Sequence, residues 1–180
     1  MKKVLMILAD GFEEIEALGT ADILRRAKLE LSIAGLNEGL ITSVQGIKIT
    51  PDCKLSDIEI DQFDAVVLPG GQPGANNLNA DKRVIEILHK FNDEKKLICA
   101  ICAAPFILAE QGILKGRKAT CFPAYKDVLN ESYVEQKVVV DGNIITSRGP
   151  ATAPDFAFTI VDKLVDTRVS ETLKKAMLYI

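Results

Sequence analysis

The chain has 180 residues, 48% of them hydrophobic and 26% charged, and a net charge of -3. That length is enough for a single domain over 1–180 with a full core, and the balance excludes a disordered or fibrous chain. The slightly acidic charge also argues against a nucleic-acid footprint or a basic membrane patch.

Val4 to Ala9 reads as a first buried strand. Asp10 closes this apolar run after six residues. The run is too short for a signal-peptide core or a membrane span, which predicts a cytoplasmic chain. Asp10-Gly11-Phe12 is a turn. Glu13 then opens a helix to about Arg26, with Ile15, Leu18, Ala21 and Leu24 as its apolar positions. Its acidic start and basic end match the helix dipole. Leu29 to Gly35 is a second strand. Leu40–Gln45 and Ile47–Thr50 form a short hairpin around Gly46.

Ala65 to Leu68 is a short, wholly apolar strand, the pattern of a parallel sheet covered on both faces. It runs into Pro69-Gly70-Gly71-Gln72-Pro73-Gly74-Ala75, a loop that is either an ordinary turn or a set of N–H groups aimed at an anion. No Gly-Lys-Ser/Thr follows, so it is not a P-loop. Asp81 to about Asn92 is an amphipathic helix with Val84, Ile87 and Leu88 inward and His89, the sole histidine, toward solvent.

Leu97 to Pro105 is the stretch of greatest chemical interest. An apolar strand stops at Cys102, small residues follow, and Pro105 begins a helix that ends near Gly112. The order strand, sharp turn, helix resembles a nucleophile elbow, with Ala100 and Ala104 as the small flanking residues. A helix start favours the thiolate, which predicts Cys102 to be the most acidic of the four thiols, Cys53, Cys99, Cys102 and Cys121. Spacing alone fits equally a small cysteine buried at a strand end. Cys99 and Cys102 form a C-x-x-C, yet along a strand they lie roughly 10 Å apart on opposite faces, too far for a disulfide. With one histidine and no second C-x-x-C there is no zinc set.

Lys118 to Cys121 is expected as a strand, stopped by Phe122-Pro123. Val138–Val140 and Ile144–Thr146 flank Asp141-Gly142-Asn143, a hairpin signal. Ser147-Arg148-Gly149-Pro150 is a loop, and Phe156–Leu164 and Ser170 to about Leu178 are helices. The alternation of strands and helices gives an α/β fold with a mainly parallel sheet.

Four pieces in this order carry a resemblance: Ala9-Asp10-Gly11-Phe12-Glu13-Glu14-Ile15-Glu16, Val67-Leu68-Pro69-Gly70-Gly71, Ala100-Ile101-Cys102-Ala103-Ala104-Pro105 and Thr146-Ser147-Arg148-Gly149-Pro150. The chain is similar to the ThiJ/PfpI family, in the clade of the parkinsonism-associated deglycase. The resemblance implies a flavodoxin-like three-layer sandwich with a cysteine elbow, commonly a homodimer. It implies Cys102 as nucleophile, Glu16 as the acid beside it, and the N–H groups of Gly71 and Ala103 as an oxyanion hole. Glu13, Gly70, Phe122 and Arg148 are expected around the substrate. Neither a metal nor an organic cofactor is expected.

Two departures stand out. Where many relatives carry a His-Pro pair, this chain has Phe122-Pro123, and where the protease-like branch has histidine after the cysteine, it has Ala103. A Cys–His peptidase is therefore not expected. Asp22, which in some relatives would pair with that histidine, is expected to be structural. Two functions stay open. The first is a glyoxalase or deglycase acting on small reactive carbonyls or their adducts. The second is an oxidative-stress sensor or redox-regulated chaperone, working through oxidation of Cys102 to the sulfinic acid.

Overall fold

The computed structural model describes residues 1–180. In chain order it has β1 (Lys3–Leu8), a π turn (Ile15–Gly19), α1 (Thr20–Arg26), β2 (Glu30–Gly35), β3 (Ile41–Thr42), β4 (Lys48–Ile49) and β5 (Cys53–Lys54). There follow β6 (Ala65–Leu68), α2 (Gly74–Ala80), α3 (Lys82–Asp93), β7 (Leu97–Ile101), α4 (Pro105–Glu110) and α5 (Lys126–Leu129). The chain closes with β8 (Val138–Asp141), β9 (Ile144–Ser147), α6 (Ala153–Leu164) and α7 (Thr167–Ala176).

One sheet organises these elements, in the order β5-β2-β1-β6-β7-β9-β8. Its pairs are parallel except for β8 on β9, the hairpin expected at Asp141-Gly142-Asn143. The central strands are apolar along their whole length because both faces are covered. On one face, Leu5, Ile7, Val66, Leu68, Ile98 and Ala100 pack under α2, α3 and α4. On the other, Val4, Met6, Leu8, Val67, Cys99 and Ile101 pack under α1 and α6. This is the three-layer α/β sandwich that the sequence implied. α3 opens on Asp81, whose side chain accepts the Arg83 N–H at 2.9 Å, and buries Val84, Ile87, Leu88 and Phe91. His89 is exposed, as expected. No helix is long and apolar enough to cross a membrane.

Several expectations need correction. The first helix does not run evenly from Glu13. A π turn over Ile15–Gly19 adds a residue to the coil and shifts its phase, so Glu16 and Ala17 turn inward and Ile15 is 57% exposed. Lys118–Cys121 is not a strand. The Thr120 N–H is taken by the Thr146 side chain at 2.9 Å, and only a single bridge, Ala119 to Tyr133, forms. The loop after β6 is shorter than expected, because α2 begins at Gly74. Cys99 and Cys102 do not face opposite sides: Cys102 leaves the strand and packs against the same layer as Cys99. All four cysteines are free.

Candidate active site

The site lies at the carboxyl ends of β6 and β7, where the parallel strands release their loops. Cys102 follows β7 directly. Its φ is 65°, in the left-handed region that a side chain with a Cβ occupies at a cost of about 1–3 kcal/mol. Two backbone bonds hold it there. Its N–H donates to Ser147 O at the end of β9 (3.0 Å), and its carbonyl accepts the Phe122 N–H (2.8 Å). The Thr146–Pro150 and Phe122-Pro123 stretches thus meet at one residue. The strained turn aims the thiol out of the sheet and half exposes it.

Glu16 comes from the π turn. It is fully buried, and its Oε2 accepts the Gly70 N–H at 2.8 Å. Its Oε1 is buried without a hydrogen-bond partner, and the carboxyl faces Cys102 across Gly70. Glu13 fixes the turn from below, accepting the Glu16 N–H at 2.7 Å and donating its own N–H to Gly70 O at 3.0 Å. Gly70 is the spacer between acid and thiol. A Cβ there would sit 2.7 Å from Cys102 Cβ and 2.8 Å from Glu16 Oε2. Gly71, at φ 90°, presses on Gly11 O and the Glu13 N–H, where a Cβ would come within 2.5 Å of both. Its N–H and that of Ala103 lie on the Cys102 side of the loop and favour the thiolate.

Burial pushes the Glu16 carboxyl up to about 7, against the pull of the neighbouring Cys102 and the bond from Gly70. Burial also raises Glu13. For Cys102, burial and the Glu16 carboxylate push the thiol upward, while the Ala103 and Gly71 N–H groups pull it down. The expectation that a helix start makes Cys102 the most acidic thiol is therefore not met. α4 has only six residues and starts at Pro105, beyond the cysteine. What favours the thiolate is instead a protonated Glu16, which removes the opposing charge. Acid and thiol titrate as one pair. Burial alone raises Cys99, and burial raises Cys121 to about 11 against the pull of Arg148.

Cys102, Glu16, Glu13, Gly70, Gly71 and Ala103 therefore come together. Phe122 reaches the site through its backbone, and its ring, 43% exposed, borders a cleft of about 380 Å³ shared with Arg148 and Lys137. Arg148 pairs with Glu135 at 3.3 Å, and its charge acts on Cys121 rather than on Cys102. No imidazole approaches, since Ala103 and Phe122 fill both expected places and His89 is exposed on α3. Asp22 pairs with Arg26 at 2.7 Å on the exposed face of α1. Sequence reasoning missed Gln72 and Tyr125, whose side chains meet at 2.6 Å above the Gly71 loop. No local pattern marks a contact between residues so far apart in the chain.

An α/β sandwich with a strained cysteine elbow facing a buried glutamate defines the class. The DJ-1/PfpI family model matches residues 2–163, and the chain belongs to that family. It is 42% identical to the protein dj-1beta of Drosophila melanogaster, over 98% of this chain and 97% of that one. The crystal structure of that fly protein superposes with a TM-score of 0.95, covering 98% and 97% of the two chains. A glutathione-independent glyoxalase of Caenorhabditis elegans is 35% identical over 98% of this chain and 96% of its own. A deglycase of Pyrococcus abyssi is 35% identical over 82% and 90%.

Proposed function

We propose that the protein is an enzyme of glyoxalase or deglycase type, acting on small reactive carbonyls or their adducts. Cys102 is the nucleophile and Glu16 the proton shuttle. The observation that carries this reading is the fully buried Glu16 carboxyl, set across Gly70 from a half-buried cysteine and lifted by burial to about 7. With methylglyoxal, the sulfur adds to the aldehyde carbon and the carbonyl oxygen takes up a proton, giving a hemithioacetal. Glu16 removes the proton from that carbon and returns it to the neighbouring carbon, leaving a thioester of the hydroxy acid. Water cleaves the thioester, releases lactate and restores the thiol. The Gly71 and Ala103 N–H groups, which lie beside Cys102, serve the oxyanion formed there. These steps call for no metal or organic cofactor. Peptide hydrolysis is not proposed, because no imidazole stands by to protonate an amine leaving group.

The test is methylglyoxal turnover by rigorously purified protein, with Cys102→Ser and Glu16→Gln alongside. Turnover that is absent in the wild type, or equal in Cys102→Ser, would overturn the assignment. The same donor set around the sulfur also suits a sulfinate, so oxidation of Cys102 as a sensor or chaperone switch is the second reading. It is favoured if peroxide drives Cys102 to the sulfinic acid while turnover is absent. We also propose a homodimer. Ile15 (57% exposed), Val44 (42%) and Ile47 (49%) are exposed apolar side chains on adjoining segments, since the 43–45 segment docks on the Phe12–Glu14 turn. Sedimentation of the wild type and Ile15→Lys tests it, and a monomeric wild type refutes it.

A further inference from the structure

The Gly70-Gly71-Gln72-Pro73-Gly74 loop has one side chain that can form a hydrogen bond, that of Gln72. Gly71 follows Gly70, whose α-carbon packs against Cys102 and the Ala103 nitrogen, so its N–H stands beside the thiol and favours the thiolate, but it has no side chain to anchor it. The Gln72 amide reaches across to the Tyr125 hydroxyl at 2.6 Å and to Asn76 Oδ1 at 3.2 Å. Its Oε1 is buried without a partner, so the hold is made wholly through the amide nitrogen. The Tyr125 ring is itself stacked on Phe106 of α4, with centroids 5.6 Å apart and planes at 17°. The Tyr125 N–H donates to Phe122 O (2.9 Å), and the Phe122 N–H donates to Cys102 O (2.8 Å). The contacts form a chain that starts at the Cys102 carbonyl and ends at Gln72, the residue after Gly71.

We infer that Gln72 and Tyr125 form a clasp that positions the Gly71 N–H against the Cys102 sulfur. Tyr125 is thus a positioning residue for chemistry at Cys102, an inference that rests on the reading of Cys102 as nucleophile. On its other side Gly71 is already fixed by Gly11 O and the Glu13 backbone, so the clasp completes its location. The charged groups near the sulfur are Glu16, across Gly70 from Cys102, and Glu13 behind Glu16. Neither touches the clasp, so removing the tyrosine hydroxyl changes the N–H geometry without changing local charge.

The experiment uses Tyr125→Phe, which keeps the ring stack, and Gln72→Leu, which keeps the volume, singly and together. Three quantities are read: the pH profile of Cys102 alkylation by iodoacetamide, kcat and KM on methylglyoxal, and the thermal midpoint. Each single variant is expected to move the alkylation profile to higher pH, since the thiolate loses a donor. Each should also lower kcat by about tenfold with KM held, short of the ~10²–10³ for deleting an oxyanion donor. The double variant should be no worse than either single one. An unmoved profile, even with a lower midpoint, makes Tyr125 merely structural and overturns the clasp. Effects that add in the double variant overturn it too. If the wild type fails to turn over methylglyoxal, the enzymatic reading fails while the alkylation profile still decides the clasp.

Discussion

Gly70→Ala drives a wedge between acid and thiol. The backbone there is not left-handed, so the effect is purely steric. The added Cβ would stand 2.7 Å from Cys102 Cβ, 2.8 Å from Glu16 Oε2 and 2.9 Å from the Ala103 nitrogen. Ordinary contact begins near 3.4 Å, so these neighbours must yield by about 0.5–0.7 Å between them and the new methyl. Ala103 N is backbone, Cys102 is held by Ser147 and Phe122, and the Glu16 carboxyl, though a side-chain end, is fully buried with Oε2 held by the Gly70 N–H. Overpacking of this kind costs about 1–3 kcal/mol. A displacement of this size at reacting groups costs up to about 10²-fold in rate. Urea unfolding, methylglyoxal turnover and the pH profile of Cys102 alkylation measure the three consequences. Gly19→Ala is the comparison: nothing lies within 4 Å of its Cβ position, the backbone is helical, and a gain of about 0.5–1 kcal/mol is expected. If Gly70→Ala keeps wild-type turnover and an unaltered alkylation profile, acid and thiol do not meet across Gly70.

Glu16 should make the protein less stable as pH rises. Its carboxyl titrates at 4.5 when unfolded and at about 7 when folded, so between those values the native state holds the extra proton. Stability therefore falls from about pH 4.5 to about 7 by about 3 kcal/mol and levels off above it. Urea midpoints at pH 5 and pH 8 should converge in Glu16→Gln, and an equal fall in both proteins refutes the assignment. The left-handed backbone of Cys102 predicts that Cys102→Gly is more stable than Cys102→Ala. The relief of about 1–2 kcal/mol is partly offset by about 0.4–1 kcal/mol of unfolded-state freedom. An alanine variant as stable as the glycine one means that the turn carries no strain.

The sheet was readable because burial on both faces leaves an unbroken apolar run, as at Ala65–Leu68 and Leu97–Ile101. The hairpin at Asp141-Gly142-Asn143 was readable from its turn residues. The inward turn of Glu16 was not. A helical stripe through Ile15 and Leu18 points those residues to the core, and only the π turn, set by docking of the Gly70–Gly71 loop on Glu13, reverses the facing. Lys118–Cys121 has strand-like residues, but the Thr146 hydroxyl captures the N–H that a neighbouring strand would need. The spacing role of Gly70 was not legible: the resemblance put it around the substrate, and a glycine after a strand is usually just a turn.

The missing histidine changes what the Phe122 segment does rather than leaving a gap. Its backbone N–H still holds the Cys102 carbonyl, and its 3₁₀ turn delivers Tyr125 to Gln72. The segment works on position, through the left-handed cysteine and through the donor loop. On the proposed reading, proton handling falls to Glu16 alone, which suits that task because burial lifts it to about 7 while Gly70 keeps one oxygen fixed. A lone carboxyl of this kind can move a proton between adjacent carbons of a bound carbonyl compound, and it cannot supply the imidazolium that an amide leaving group needs. On the proposed reading, the same substitution that weakens a peptidase leaves the chemistry of a reactive aldehyde intact.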